Sequence, residues 1–203
     1  MKKYLAIIGL LILIVVFMRT GNISLNRMGA VYTNLNDLPK EAIEVLEKVD
    51  LLEGREWIAY RNKDRSEYGS VLVKKSWGIF YQAEGAVRLY LSVNEPLVRS
   101  KPSMYGKEMI FVATNDPTIA YISSGIEDIG FSQEIIQSLT LEDVLAKPDD
   151  YRVEEVKDGY ALFIWDKSIT SEKSCKNTYM LAFDKDGNLI IDATGTMHGI
   201  YVK

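Results

Sequence analysis

The order of apolar and polar positions divides the chain into three stretches. From Tyr4 to Met18 fifteen residues run without a charge, bounded by Lys2 and Lys3 before and Arg19 after. A positive pair ahead of an apolar run predicts a signal anchor over residues 1–20, a membrane helix with its N-terminus in the cytoplasm and the remaining chain outside. Fifteen helical residues reach only about 22 Å against a ~30 Å hydrocarbon core, so such an anchor would lean on snorkelling by Lys2, Lys3 and Arg19. The alternative is secretion after signal cleavage, although no A-x-A-like site follows Met18. Residues 21–36 are polar with two glycines and predict a juxtamembrane linker.

The next apolar period is helical. Asn36 or Asp37 as cap, Pro39 in the first turn, and Leu38, Ala42, Ile43, Leu46 and Val49 on one face predict an amphipathic helix from 37 to about 52. Beyond it the period becomes strand-like. Strands are expected at 57–60, 70–75, 78–82 and 87–93 as an antiparallel meander, then a pair at 109–113 and 119–123. Two short helices follow, 133–139 and 141–146, the second with a capping box from Thr140 and Asp143. Strands at 151–156, 160–165, 179–183 and 188–193 close the chain, joined in pairs through Lys-Asp-Gly turns that suit a type I turn with a left-handed glycine. The class is therefore α+β. The expected architecture is an N-terminal transmembrane helix, then a single extracytoplasmic domain over 37–203 of mainly antiparallel strands in two meanders, with one longer and two short helices.

Composition narrows the function classes. At 203 residues, 47% apolar and 26% charged, the chain is a folded protein and not a disordered one. Its single cysteine excludes an intramolecular disulfide. Setting aside Lys2, Lys3 and Arg19 leaves 21 of the 24 basic residues against 28 acidic ones, a net charge of −7 beyond the apolar run. That sign, with no Lys/Arg cluster, excludes nucleic acid as a partner.

Candidate chemistry is sparse. The segment Asp184-Lys185-Asp186-Gly187-Asn188 resembles the start of a calcium loop, but the twelfth position from Asp184 is Gly195 and its glycine is fourth, so a turn is the better reading. Cys175 and His198 are each the only residue of their kind, and a dyad would need them in hydrogen-bond reach with an acid such as Asp184 or Asp192. No family signature surrounds Cys175, and no G-x-S-x-G, phosphate loop or zinc spacing occurs. Glu154 and Glu155 point to opposite faces of a strand and cannot flank one bond. No catalytic, cofactor-binding or metal-ligating residue is assigned, and no cofactor is expected. The aromatics carry the remaining signal: of twelve tyrosines, Tyr60, Tyr68, Tyr81 and Tyr90 lie on or beside one expected meander and form a candidate interaction surface.

Three segments, Val112-Ala113-Thr114-Asn115-Asp116-Pro117-Thr118-Ile119, Asp158-Gly159-Tyr160-Ala161-Leu162-Phe163 and Ala182-Phe183-Asp184-Lys185-Asp186-Gly187-Asn188-Leu189-Ile190, carry a resemblance. The chain resembles small exported or lipoprotein-like proteins of Gram-positive bacteria, which have an N-terminal export segment followed by strands with a final D-x-D-G hairpin. It lacks their lipid-accepting cysteine. The resemblance implies a location and a style of fold, and no activity. Together these features predict a membrane-tethered, non-enzymatic binding module whose partners are the membrane through residues 4–18 and an envelope protein, peptide or small ligand. The alternatives are an immunity or stress-response membrane protein, and an envelope hydrolase or thiol enzyme using Cys175 and His198.

Overall fold

The computed structural model describes residues 4, 7–9, 12, 15–16, 23–76, 78–92, 97–100, 103–105, 107–125, 139–166, 179–193 and 200–202. Among them no helix is long and apolar enough to cross a membrane. This overturns the transmembrane anchor and the single-pass topology that rested on it. The physical reason is length: fifteen residues at ~1.5 Å each fall short of the hydrocarbon core. The α+β class is overturned as well. Strands make up 54% of the structure and helical residues 19%, in three antiparallel sheets, so the fold is mainly β.

The chain divides into two compact units, Met1–Arg88 with Ile200–Lys203, and Leu89–Gly199. In the first, β1 (Ile23–Ser24) leads into helix α1 (Arg27–Asn34), which lies in the stretch expected as a linker. Asn26 caps it, its Oδ1 accepting from the Gly29 N–H at 2.6 Å, and Ala30 and Val31 are buried. The segment expected as the long helix is instead strand β2 (Ile43–Leu51), preceded by a 3-10 turn at Lys40–Ala42. Ile43, Val45, Val49 and Leu51 would alternate as a strand requires, but a bulge between Val45 and Glu47 shifts the phase midway. The broken period of 2 mimics a period of 3.6, while three of these four residues are β-branched and favour a strand.

From β2 the chain turns through Leu52–Gly54 into β3 (Arg55–Asn62), β4 (Glu67–Ser76) and β5 (Phe80–Tyr90). The expected breaks at Glu84–Gly85 do not occur; β5 runs straight through them. The sheet order is β1-β5-β4-β3-β2, with β14 (Ile200–Val202) also on β5. Ile58 and Tyr60 of β3, Val71 and Val73 of β4, and Ala86 of β5 form its core with Ala30, Val31 and Leu35 of the α1 region. The helix thus covers one face of a meander, burying each element's apolar side.

In the second unit, β6 (Leu97–Ser100), β7 (Ser103–Met104) and β8 (Lys107–Thr114) precede β9 (Tyr121–Gly125), helix α2 (Leu141–Leu145), β10 (Tyr151–Glu155), β11 (Tyr160–Asp166), β12 (Tyr179–Phe183) and β13 (Leu189–Ala193). The expected pair at 109–113 and 119–123 is not a pair: β8 joins the sheet β11-β8-β6, and β9 joins β10-β9-β12-β13. Ile110, Val112, Phe163 and Trp165 of the first sheet pack with Ile122, Met180 and Ala182 of the second, a β-sandwich core. On the outer face of the second sheet Val144 of α2 meets Tyr151, Leu181 and Phe183. The α2 capping box is present, with the Asp143 N–H donating to Thr140 Oγ1 at 3.2 Å and the Thr140 N–H to Asp143 Oδ2 at 2.9 Å. The expected helix at 133–139 lies outside the described residues except for Leu139.

The two Asp-Gly turns differ. At Gly187 (φ 83°) the hairpin from β12 to β13 closes as expected, Gly187 N–H donating to the Asp184 carbonyl. At the other, both Asp158 (φ 53°) and Gly159 (φ 81°) are left-handed, a type I′ geometry where type I was expected, and the turn carries the chain from one sheet of the sandwich to the other.

Candidate functional site

The four tyrosines singled out by sequence do not converge. Tyr60 is fully buried, its hydroxyl donating to Glu67 Oε1 at 2.9 Å, and Tyr68 is 1% exposed. Tyr81 is half-buried at the start of β5, whereas Tyr90 is exposed at its end. Cys175 and His198 lie outside the described residues. Asp184 sits in an exposed turn and is engaged there: its Oδ1 accepts from the backbone N–H groups of Asp186 and Asn188, and its Oδ2 from Asn188 Nδ2 at 2.9 Å. These bonds, the Asn188 side chain's foremost, hold its carboxyl below the usual range. Among the described residues no group of three or more His, Cys, Asp and Glu side chains stands where it could hold a metal ion.

Of the four, Tyr81 lines a described cavity. This cavity, about 220 Å³, lies in the first unit and is bounded by Arg27, Asp50, Leu51, Gly54, Arg55, Glu56, Val73, Lys75 and Tyr81. Strand register explains the gathering. Asp50 pairs with Glu56, which pairs with Val73, so the three share the face that α1 covers. That face continues through Ile58 and Tyr60 into the core, and Glu56 is therefore a charge on an otherwise apolar row.

The turn below the cavity is built by backbone strain and a charge clamp. Glu53 (φ 60°) and Gly54 (φ 68°) are both left-handed in the three-residue loop between β2 and β3. Glycine takes that conformation freely, while a non-glycine residue there costs about 1–2 kcal/mol. Arg55, 9% exposed, binds Glu53 Oε2 at 2.6 Å and forks onto Glu84 at 2.7 and 3.2 Å. Its charge is spent on those two carboxylates.

Glu56 is bonded through one oxygen. Arg27, the first residue of α1, donates from Nη1 to Glu56 Oε1 at 2.9 Å; the Arg27 side chain is 50% exposed and that of Glu56 only 10%. The second oxygen, Oε2, is buried and has no hydrogen-bond partner among the described residues. A buried acceptor left unmet costs about 1–3 kcal/mol, more when charged. Asp50 and Lys75 at the rim are exposed to water, where their fields are screened. The unmet polar atom beside the cavity is thus an acceptor, which calls for a donor.

Sequence reasoning missed Glu56 and Arg27. For Glu56 a signal existed, an acid in phase with Ile58 and Tyr60 at the head of an apolar strand. For Arg27 there is none, because residues 21–36 have the polar, glycine-containing pattern of a linker. No protein-family model matches the chain, and neither curated proteins nor solved structures provide a match to it.

Proposed function

We propose that the first unit is a binding module that takes a cationic group into the cavity beside Glu56. The observation that supports this reading is the buried Glu56 Oε2 without a partner in a cavity that Arg27 covers from its half-exposed position. The protein's own guanidinium sits on Oε1, and a partner of the same kind is assigned to Oε2. In this reading an incoming cation enters beside Arg27, whose side chain is 50% exposed, and donates to Oε2. A charge-assisted hydrogen bond of this kind contributes about 1.5–3 kcal/mol, or about 10- to 100-fold in affinity.

Titration of the protein with a doubly capped arginine, followed by NMR, tests the reading. Shifts are expected at Arg27, Glu56, Val73 and Tyr81, and Glu56→Gln, which keeps the side chain's size, should weaken binding by about tenfold or more. Inorganic phosphate serves as the opposite charge. Saturable phosphate binding that persists in Glu56→Gln, with no response to arginine, would sink the proposal.

A further inference from the structure

The chain holds two Asp-Gly pairs, Asp158-Gly159 and Asp186-Gly187, each with its aspartate exposed. An aspartate followed by glycine can close a five-membered imide, because glycine has no Cβ to keep its nitrogen from the aspartyl carboxyl carbon. The ring demands one backbone geometry. The glycine nitrogen must eclipse the aspartyl Cβ, which for an L residue occurs at ψ of about −120°, the value at the first central position of a type II′ turn, where φ is about +60°.

The two pairs stand differently toward that geometry. Asp158 has φ 53° and Gly159 φ 81°, the type I′ turn described above. Types I′ and II′ share the positive φ at the first central residue and differ by a flip of the central peptide plane, about 150° in ψ, and glycine accepts either sign of φ after it. The bonds that fasten this turn lie outside the flipped plane. Lys157 and Tyr160 exchange both backbone hydrogen bonds at 3.0 Å, and the Gly159 carbonyl accepts from the Thr114 N–H at 2.8 Å. Among the described residues the Gly159 N–H, which must attack, takes no hydrogen bond. In the other pair only Gly187, at φ 83°, is left-handed, and for Asp186 with its negative φ a ψ near −120° falls outside the allowed regions. Its attacking group is also engaged, since the Gly187 N–H donates to the Asp184 carbonyl at 3.2 Å. A flip there breaks that bond.

We propose that Asp158-Gly159 is a self-modification site, where the turn closes to a succinimide and opens to isoaspartate, while the fold protects Asp186-Gly187. The Gly159 nitrogen attacks Cγ of the protonated Asp158 carboxyl; a C–N bond forms, the C–OH bond breaks, and the hydroxyl leaves with the amide proton as water. Water then adds at the main-chain carbonyl carbon of Asp158 and breaks its bond to the Gly159 nitrogen, so the chain continues through Cβ and Cγ and the α-carboxyl is set free. One water is lost and one gained, and nothing is oxidised or reduced. The inserted methylene lengthens the turn that carries the chain from β10 to β11. This site is independent of the cavity beside Glu56.

Peptide mapping of the full chain after weeks in warm neutral buffer tests the proposal. A glutamate-specific protease releases residues 156–172 and 173–203, one Asp-Gly pair in each, and chromatography with mass spectrometry separates isoaspartyl from aspartyl forms. In the folded protein isoaspartate should gather in 156–172 at least about fivefold faster than in 173–203, the factor that one hydrogen bond on the attacking N–H represents. In urea the two rates should converge, because the fold is what separates them. Asp158→Asn tolerates the left-handed φ and releases ammonia in place of water, so it should convert faster in the folded protein than Asp186→Asn. Equal or greater conversion in 173–203 of the folded protein overturns the proposal, as does a preference for 156–172 that survives unchanged in urea. Conversion of Asp158→Asn no faster than that of Asp186→Asn, or no isoaspartate in either peptide, overturns it as well.

Discussion

Tyr60 is held by groups from three other segments of the first unit. Its hydroxyl donates to Glu67 Oε1, and Arg88 lies near that carboxylate while forking onto Asp37 with both terminal nitrogens at 2.5 Å. What admits the ring is an absence of side chain across the strand. Gly69 stands opposite Tyr60 in the register, and a Cβ there would collide with the Val87 carbonyl and come within 2.7 Å of Tyr60 Cζ and Oη. The glycine is required by close approach and not by a left-handed backbone. Gly69→Ala should therefore lower stability by about 1–3 kcal/mol, the cost of overpacking a filled interior. Thermal unfolding measures it; a Tm within about 1 °C of the parent would show that β4 and β5 part without cost. Such a residue was invisible in sequence, where Gly69 was merely the approach to a strand.

At the scale of elements, β2 teaches most. Its apolar positions satisfied a helical template only because a bulge at Val45–Glu47 moved the second half of the strand out of phase. Local pattern favoured the helix, and pairing along β3 decided against it, since the strand gains a full ladder with β3 that an isolated helix would lack. Turn chemistry was more legible. The Asp184–Asn188 turn rests on carboxylate bonds to its own backbone and on a left-handed Gly187, both local features. Gly187→Ala should cost about 1–2 kcal/mol from its φ of 83°. A Cβ there would also lie 3.3 Å from Leu141 Cβ, so the loss should reach the β12–β13 hairpin and the start of α2 together. Native-state hydrogen exchange would register faster opening at Leu141, whose N–H donates to the Gly187 carbonyl at 3.0 Å; unchanged exchange there would dissociate turn from helix.

For the molecule as a whole, acid is the expected weakness. Hydrogen bonds from Arg88, from Arg61, from the Ser66 backbone, from Thr140 and from Asn188 hold the carboxyls of Asp37, Glu44, Asp64, Asp143 and Asp184 below their ordinary values. A carboxyl depressed in the folded state contributes stability that is present above its unfolded pKa and is lost as pH falls through the folded one. Among the described residues, burial of Glu154 acts the other way, raising its pKa and favouring the protonated form. Urea midpoints should accordingly be level near neutral pH and decline below about 4. A midpoint that rises from pH 5 to 3 would mean that Glu154-like groups outweigh the five. Sequence by itself determined what is settled within a few residues: the turn at Asp184–Asn188, the capping box of α2, the strands around 57–60 and 179–183, and the acidic balance. Tertiary structure alone decided the rest, because it turns on partners distant along the chain. It made β2 a strand, sent β8 and β9 to different sheets, and set Arg27 against Glu56, 29 residues away, beside a cavity that no local pattern announces.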